Sequence, residues 1–426
     1  MSSSRSIVDQ YPLSYVPYED FYRKLHANPE LSWREYETAK AVVQKLREIS
    51  SNLDIKEGIA GTGVIAVLRN GPGKTVMLRA DMDALPLKEQ TGLPYASHKE
   101  MEDVHGNTQP VMHACGHDMH VTSLLAAAAI LFSSRERWGG TLVFLFQPAE
   151  EGTSGAQGMV ADGLYEKHGC PIPDIVLGQH VSFRRTTHVF TKPGLLMAGV
   201  ERMTIKIFGK GGHGSMPHMA VDPVVMAAHI VVRLQTIISR EVEPGELGVI
   251  TVGSIHAGTA PNVIPAHAEL HLSIRFTSTE QRNIIVEGIQ RVVKAECLAS
   301  KSPQEPIFDI SESTNPMVND ILATEAVSNS FKAHFGADHF PMAKVVPAAE
   351  DFSYLATSIG KPYCFWFLGG HDGEDYDRRK KEGTLDSVPS IHSPFFAPVV
   401  QPTLTTGAEA LVTAALTFLS NDKSNK

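Results

Sequence analysis

The chain has 426 residues, 42% of them hydrophobic and 20% charged, with 38 Lys and Arg against 47 Asp and Glu for a net charge of −9. That length exceeds one ordinary core, so two domains, or one with a large insertion, are expected, and the acidic balance without any block of Lys or Arg excludes a nucleic-acid partner. The cysteines Cys115, Cys170, Cys297 and Cys364 form no CxxC pair, and neither a leader-like apolar segment after Met1 nor a run of about 18 apolar residues is found, so the reading is a soluble, cytoplasmic protein with no disulfide framework and no membrane partner.

Along the chain, Ala39, Val42, Val43, Leu46 and Ile49 recur at helical spacing and predict an amphipathic helix over 35–49. Two β-rich runs, 63–69 and 75–81, are joined by the turn formers of Asn70-Gly-Pro-Gly-Lys74. The second run ends in Arg79-Ala-Asp-Met-Asp-Ala-Leu-Pro86, so Asp81 and Asp83 stand where a strand stops, the place where α/β folds build their sites. His113-Ala-Cys-Gly-His-Asp118 follows and leads into an Ala- and Leu-rich helix over 117–133, with Asp118 near its N-terminus, where a carboxylate is favoured. The continuous apolar run 141–147, bounded by Gly140 and Pro148, predicts a strand buried on both faces that delivers Glu150 and Glu151, and 174–180 repeats the pattern with His180 at its exit.

From Glu201 the texture changes to alternation, as in an antiparallel sheet with one exposed face. Helices over 222–238 and 279–298 and strands over 248–255, 267–276 and near Ile307 give the order βαββαβ, a ferredoxin-like domain inserted into a larger one. In the 267–276 strand Leu270, Leu272, Ile274 and Phe276 share one face, which leaves Arg275 on the other. Buried α/β texture resumes with a helix over 318–335 and a strand over 363–368. The charged, glycine-rich segment 371–386 reads as a solvated loop, and a helix over 401–419 follows His392. The fold expected is α/β: a catalytic domain, 1–198 with 313–426, built on a mostly parallel sheet flanked by helices, and an inserted lid domain over 199–312.

A thiol and an imidazole two positions apart can turn toward one cation, and the Glu150–Glu151 pair supplies one hard ligand and one spare carboxylate, the parts of a metal-dependent hydrolase. Adjacent residues leaving a strand tend to point apart, which would let the two glutamates divide those tasks.

These pieces, with Leu25-His-Ala-Asn-Pro-Glu-Leu31, Gln147-Pro-Ala-Glu-Glu-Gly152, Gly211-Gly-His-Gly-Ser215, Gly258-Thr-Ala-Pro-Asn-Val-Ile-Pro265, Glu350-Asp-Phe-Ser353 and His392-Ser-Pro-Phe395, resemble in order the M20 metallopeptidase and amidohydrolase family. Within it the likeness is to the branch of auxin-conjugate hydrolases, hippurate hydrolases and N-acyl-amino-acid amidohydrolases. The resemblance implies a site for two divalent metal ions, Zn²⁺ or Mn²⁺ with Co²⁺ and Ni²⁺ as further candidates. Its ligands would be Cys115, His117, Glu151, His180 and His392, with Glu150 as general base and Asp83 as the carboxylate that orients the site. Other branches carry His-x-Asp where this chain has Asp81-Met-Asp83. The resemblance also implies that His213, Asn262 and Arg275 of the lid bind the substrate, His213 across a homodimer formed through that domain. The reaction expected is hydrolysis of the amide of an N-acyl or aryl-acyl amino acid by metal-activated water. A dipeptidase or carboxypeptidase is the alternative, and a metal-binding pseudoenzyme a remote one.

Overall fold

The structure, a computed structural model, describes residues 4–104 and 106–419. The extreme ends of the expected catalytic domain, 1–3 and 420–426, lie outside them. The chain forms two compact units, one from Met1–Gly194, Asn319–Ala343 and Asp351–Lys426, the other from Leu195–Val318 and Lys344–Glu350.

The first unit is built on an eight-stranded sheet. Its four central strands, Gly140–Gln147, Thr75–Asp81, Ile175–Arg185 and Tyr363–His371, lie side by side and parallel. Gly63–Asn70 and Asp54–Ile59 extend one edge antiparallel, and Val189–Thr191 and His339–Pro341 form the other. The apolar runs dictate this placement. A strand such as Leu142-Val-Phe-Leu-Phe146, buried at every position, fits only where both faces are covered. The covering helix His117–Ser133 is buried from His117 to Leu131; apolar residues occupy all faces of its second half, Leu124 to Leu131, and it shares one core with Val400–Phe418 and with Val76, Leu78, Phe144, Leu177 and Trp366 of the sheet.

In the second unit an antiparallel sheet runs in the order Val249–His256, His267–Phe276, Gly199–Phe208, Ile307–Thr314, with helices Pro223–Arg240 and Thr279–Ala299, the βαββαβ arrangement. Ala268, Leu270, Leu272, Ile274 and Phe276 are buried while Glu269, His271, Ser273 and Arg275 take the other face.

Two expectations need correction. The strand carrying His180 does not stop there but runs on to Arg185. The segment 371–386 is exposed, as its charge demands, yet it contains the helix Gly373–Glu382. Asp372 caps that helix by accepting from the Asp375 N–H, and Asp375 bonds His371 and Arg379 one turn away on either side. Gly383, at φ 74°, ends it.

Candidate metal centre

Parallel strands deliver their C-terminal ends to one side of a sheet, and the candidate residues gather there. Asp81 closes one central strand, with Asp83 two residues on. Gln147 closes its neighbour, with Glu150 and Glu151 in the turn beyond. Cys115 precedes, and His117 begins, the helix 117–133. Gly116 between them adopts φ +83°, and a Cβ there would stand 2.4 Å from Val181 Cγ1, so glycine is required for the turn that aims both neighbours inward. His392 arrives from far along the chain, its N–H donating to the Ala114 carbonyl at 2.8 Å.

The Cys115 Sγ is the common point of the cluster. His180 Nε2 lies 3.4 Å from it and His392 Nε2 3.2 Å. His392 Nε2 is also 3.4 Å from Glu151 Oε2. Cys115, His117 and His180 form one group whose ligand atoms all lie within 4.8 Å of one another, and Cys115, Glu151 and His392 form a second. The five residues expected as ligands are thus brought together in two sets that share the sulfur.

The tautomers follow from the hydrogen bonds. His180 Nδ1 donates to the Val181 carbonyl at 2.6 Å, which leaves Nε2 with its lone pair toward the sulfur. His117 Nδ1 donates to Asp83 Oδ1 at 3.2 Å, an arrangement in which a carboxylate fixes the ring of a ligand histidine. Asp83 also accepts from Ser32 Oγ at 2.7 Å and from the Glu151 N–H at 3.0 Å, so it ties the histidine to the glutamate turn. The buried atoms His117 Nε2 and Glu151 Oε1 have no hydrogen-bond partner among the described residues. Buried polar atoms are seldom orphaned, and mixed N, O and S donors around two such atoms fit a transition-metal cation.

The electrostatics agree. Burial, followed by the charges of Glu151, Glu150 and Asp81, pushes the Cys115 thiol well above its ordinary range, so only a cation would hold it as the thiolate in this surrounding. Burial works against charging His117, but Asp81 and Asp83 outweigh it and lift its pKa to about 10. Burial, then His120, holds His180 neutral.

The two glutamates do not point apart. Glu150 Oε2 and Glu151 Oε1 each lie 3.9 Å from His117 Nε2. The reason is that they leave the strand through Ala149, whose φ of 48° turns the chain out of extended geometry.

His120 joins the cluster without being among the ligands expected from the sequence. It also lies close to Asp81 and His117, but its Nδ1–H donates to Asp81 Oδ1 at 2.6 Å while its Nε2 accepts from the Val181 N–H at 2.8 Å, so no lone pair is left for a metal. It packs against both His117 and His180, ring centroids 5.4 and 4.5 Å away. Its place one turn after His117 on an inward helix face is the signal that could have found it. Asp81 is held as a carboxylate despite complete burial by Arg79, then His117 and His120, and Arg79 reaches Asp81 at 2.6 Å and Gln147 at 2.9 Å. These bonds account for Asp81 without coordination.

In the second unit, Gly212–His213 pairs with Val263–Ile264, and the Gly214 N–H donates to the Asn262 carbonyl at 2.8 Å. His213 and Asn262 are therefore neighbours, both exposed. His213 Nδ1 accepts from the Ser215 N–H at 3.1 Å, which leaves Nε2–H as a donor to solvent. Arg275 is partly buried, and its guanidinium has no carboxylate partner within salt-bridge distance among the described residues; burial and then the nearby Arg202 lower its pKa.

Comparison with known proteins gives these features a common setting. The Campylobacter jejuni hippurate hydrolase is 39% identical over 355 residues, 82% of this chain and 87% of that protein. Thermostable carboxypeptidase 2 of Saccharolobus solfataricus is 34% identical over 406 residues, 93% of this chain and 94% of that protein. The crystal structure of the Bacillus subtilis YXEP protein, a dinuclear metal-binding peptidase of the M20 family, superposes with a TM-score of 0.73 at 27% identity, covering 94% of this chain and 98% of that one. The model of peptidase family M20/M25/M40 matches residues 77–387, and the chain belongs to that family.

Proposed function

We propose that this protein is a metal-dependent amidohydrolase that cleaves the amide of an N-acyl or aryl-acyl amino acid, with Glu150 as general base. The observation that carries the reading is the single sulfur of Cys115 set between the imidazoles of His180 and His392, beside the orphaned His117 Nε2 and Glu151 Oε1. Two divalent ions, Zn²⁺ or Mn²⁺ with Co²⁺ and Ni²⁺ as further candidates, would be held by Cys115, His117, Glu151, His180 and His392. When bound, such ions acidify water and polarise a carbonyl.

The chain's own residues supply the rest. Glu150, nearly fully buried at the mouth of the glutamate turn, takes a proton from the attacking water on its carboxylate and passes it to the departing amine. Asp83 keeps the His117 ring fixed and the Glu151 backbone in place. In the second unit, Arg275 receives the free α-carboxylate, while Asn262 and the Nε2–H of His213 steady the developing oxyanion, fixed donors aimed at negative charge. A homodimer joined through the second unit is supported by the apolar residues that unit exposes, Val225, Val232 and Leu298. A reducing compartment such as the cytoplasm suits a centre whose shared ligand must remain a free thiolate. No helix among the described residues is long and apolar enough to cross a membrane.

The second reading, cleavage of a dipeptide or a C-terminal residue, is favoured by the 34% identity to a carboxypeptidase. Both place a free carboxylate on the leaving side. The deciding experiment is a screen of N-acyl amino acids against dipeptides, with Mn²⁺ and Zn²⁺ supplied in parallel and metal content measured on each preparation. Turnover of N-acyl amino acids well above dipeptides is expected, the reverse order would select the peptidase, and no turnover of either would overturn both.

A further inference from the structure

Glu35 stands at the N-cap of the helix Tyr36–Ile49, yet its side chain does not cap that helix. The carboxylate of Glu30 does so instead, accepting from the Thr38 N–H at 2.8 Å and the Glu37 N–H at 3.2 Å. Freed from the local role, the fully buried Glu35 reaches a turn 114 positions away. Its Oε1 accepts from the Ala149 N–H and the Trp33 N–H, both at 2.9 Å, and its Oε2 from the Thr62 hydroxyl at 2.7 Å. Ala149 sits at φ 48° immediately before Glu150, and Thr153 at φ 50° closes the same turn. A left-handed alanine persists only where its surroundings hold it.

We propose that Glu35 is a positioning residue for catalysis: through the Ala149 N–H it holds the strained turn that aims Glu150 and Glu151 at the His117 side of the centre. The inference rests on Glu150 being the general base. It requires Glu35 for hydrogen-bond geometry and not for charge. Burial, then the charge of Asp83, pushes its pKa up to about 7, and a glutamine can keep the geometry without the charge: its carbonyl oxygen faces the two N–H groups, and its amide N–H donates to the Thr62 hydroxyl, which then accepts where it donates to the carboxylate.

Four variants test this by kcat, KM and bound metal, with Glu150→Gln assayed alongside. Glu35→Gln should keep kcat within about threefold of the parent, whereas Glu35→Ala, and Glu35→Asp, one methylene too short to reach both Ala149 and Thr62, should lose about 10- to 100-fold in kcat with KM unchanged when assayed with metal in excess, the usual scale for groups that support a metal site. Adding Ala149→Gly to Glu35→Ala should recover roughly tenfold, because glycine adopts positive φ without help. Parent-level kcat in metal-replete Glu35→Ala, or in Glu35→Asp should the alanine variant fail to fold, would overturn the proposal, as would a Glu35→Gln enzyme as impaired as the alanine. Near-normal kcat in Glu150→Gln would instead bring down the reading on which the proposal rests.

Discussion

His392 Nε2 lies 3.2 Å from Cys115 Sγ although 277 positions separate the two residues. The sulfur belongs to both ligand sets, so its loss should damage both at once. Cys115→Ser is expected to bind fewer than two metal ions per chain by elemental analysis. Its kcat should fall by about a hundredfold or more, since even groups that only support a ligand cost 10- to 100-fold. Chelation of the parent enzyme should lower its melting temperature, because the buried donors then face one another without a cation.

Glu150→Gln preserves shape but cannot take up a proton. It should retain its metal and lose about 10² to 10⁴ in kcat, the ordinary worth of a general base. Both quantities are read from one preparation, so that metal loss cannot imitate loss of the base.

Arg275→Ala separates recognition from architecture. A charge-assisted contact of about 1.5–3 kcal/mol predicts a loss of roughly 10- to 100-fold in kcat/KM on a substrate with a free carboxylate and little on its amide-capped analogue. Equal losses on both would make Arg275 structural.

If His213 serves the partner's centre, mixing inactive His213→Ala with inactive Glu150→Gln protein should return part of the activity in heterodimers that contain one intact composite site. Proven subunit exchange with no recovered turnover would confine His213 to its own chain.

A pH effect on stability follows from His26. The ring is fully buried, with Nδ1 2.7 Å from Asp118 Oδ2 and Nε2 3.1 Å from Glu89 Oε1. Burial disfavours its charge, but the two carboxylates outweigh that and raise its pKa to about 9. A folded pKa above the unfolded value means stability that is fully present below about pH 6.5 and lost as pH rises through about 9, on the order of 1–3 kcal/mol. The melting temperature should therefore decline across this window, and His26→Gln should flatten the decline.

The central strands were legible because continuous apolar runs such as 141–147 have few other places to go, and the Arg275 face because alternation fixes it. The helix Gly373–Glu382 is masked in the sequence because charge and glycine ordinarily mark a loop, although its capping Asp372, its residues paired one turn apart, His371, Asp375 and Arg379, and its closing Gly383 are all there. At the centre, ligand types were recognisable one by one. The hydrogen bonds that orient them were not: Ser32 to Asp83 and Glu35 to Ala149 join residues from distant segments, and nothing in either local pattern names the other.

The distance in sequence between Cys115 and His392 also orders events during synthesis. When a nascent chain has emerged only as far as residue 318, Cys115, His117, Glu151 and His180 are all present, but the set that includes His392 is not. The whole 195–318 segment of the second unit is made before the last donor appears. A full-length His392→Ala chain, which keeps the helix Val400–Phe418 in the core, should therefore retain the Cys115, His117 and His180 set alone, and its titration with Zn²⁺ should saturate at one ion where the parent is expected to take two.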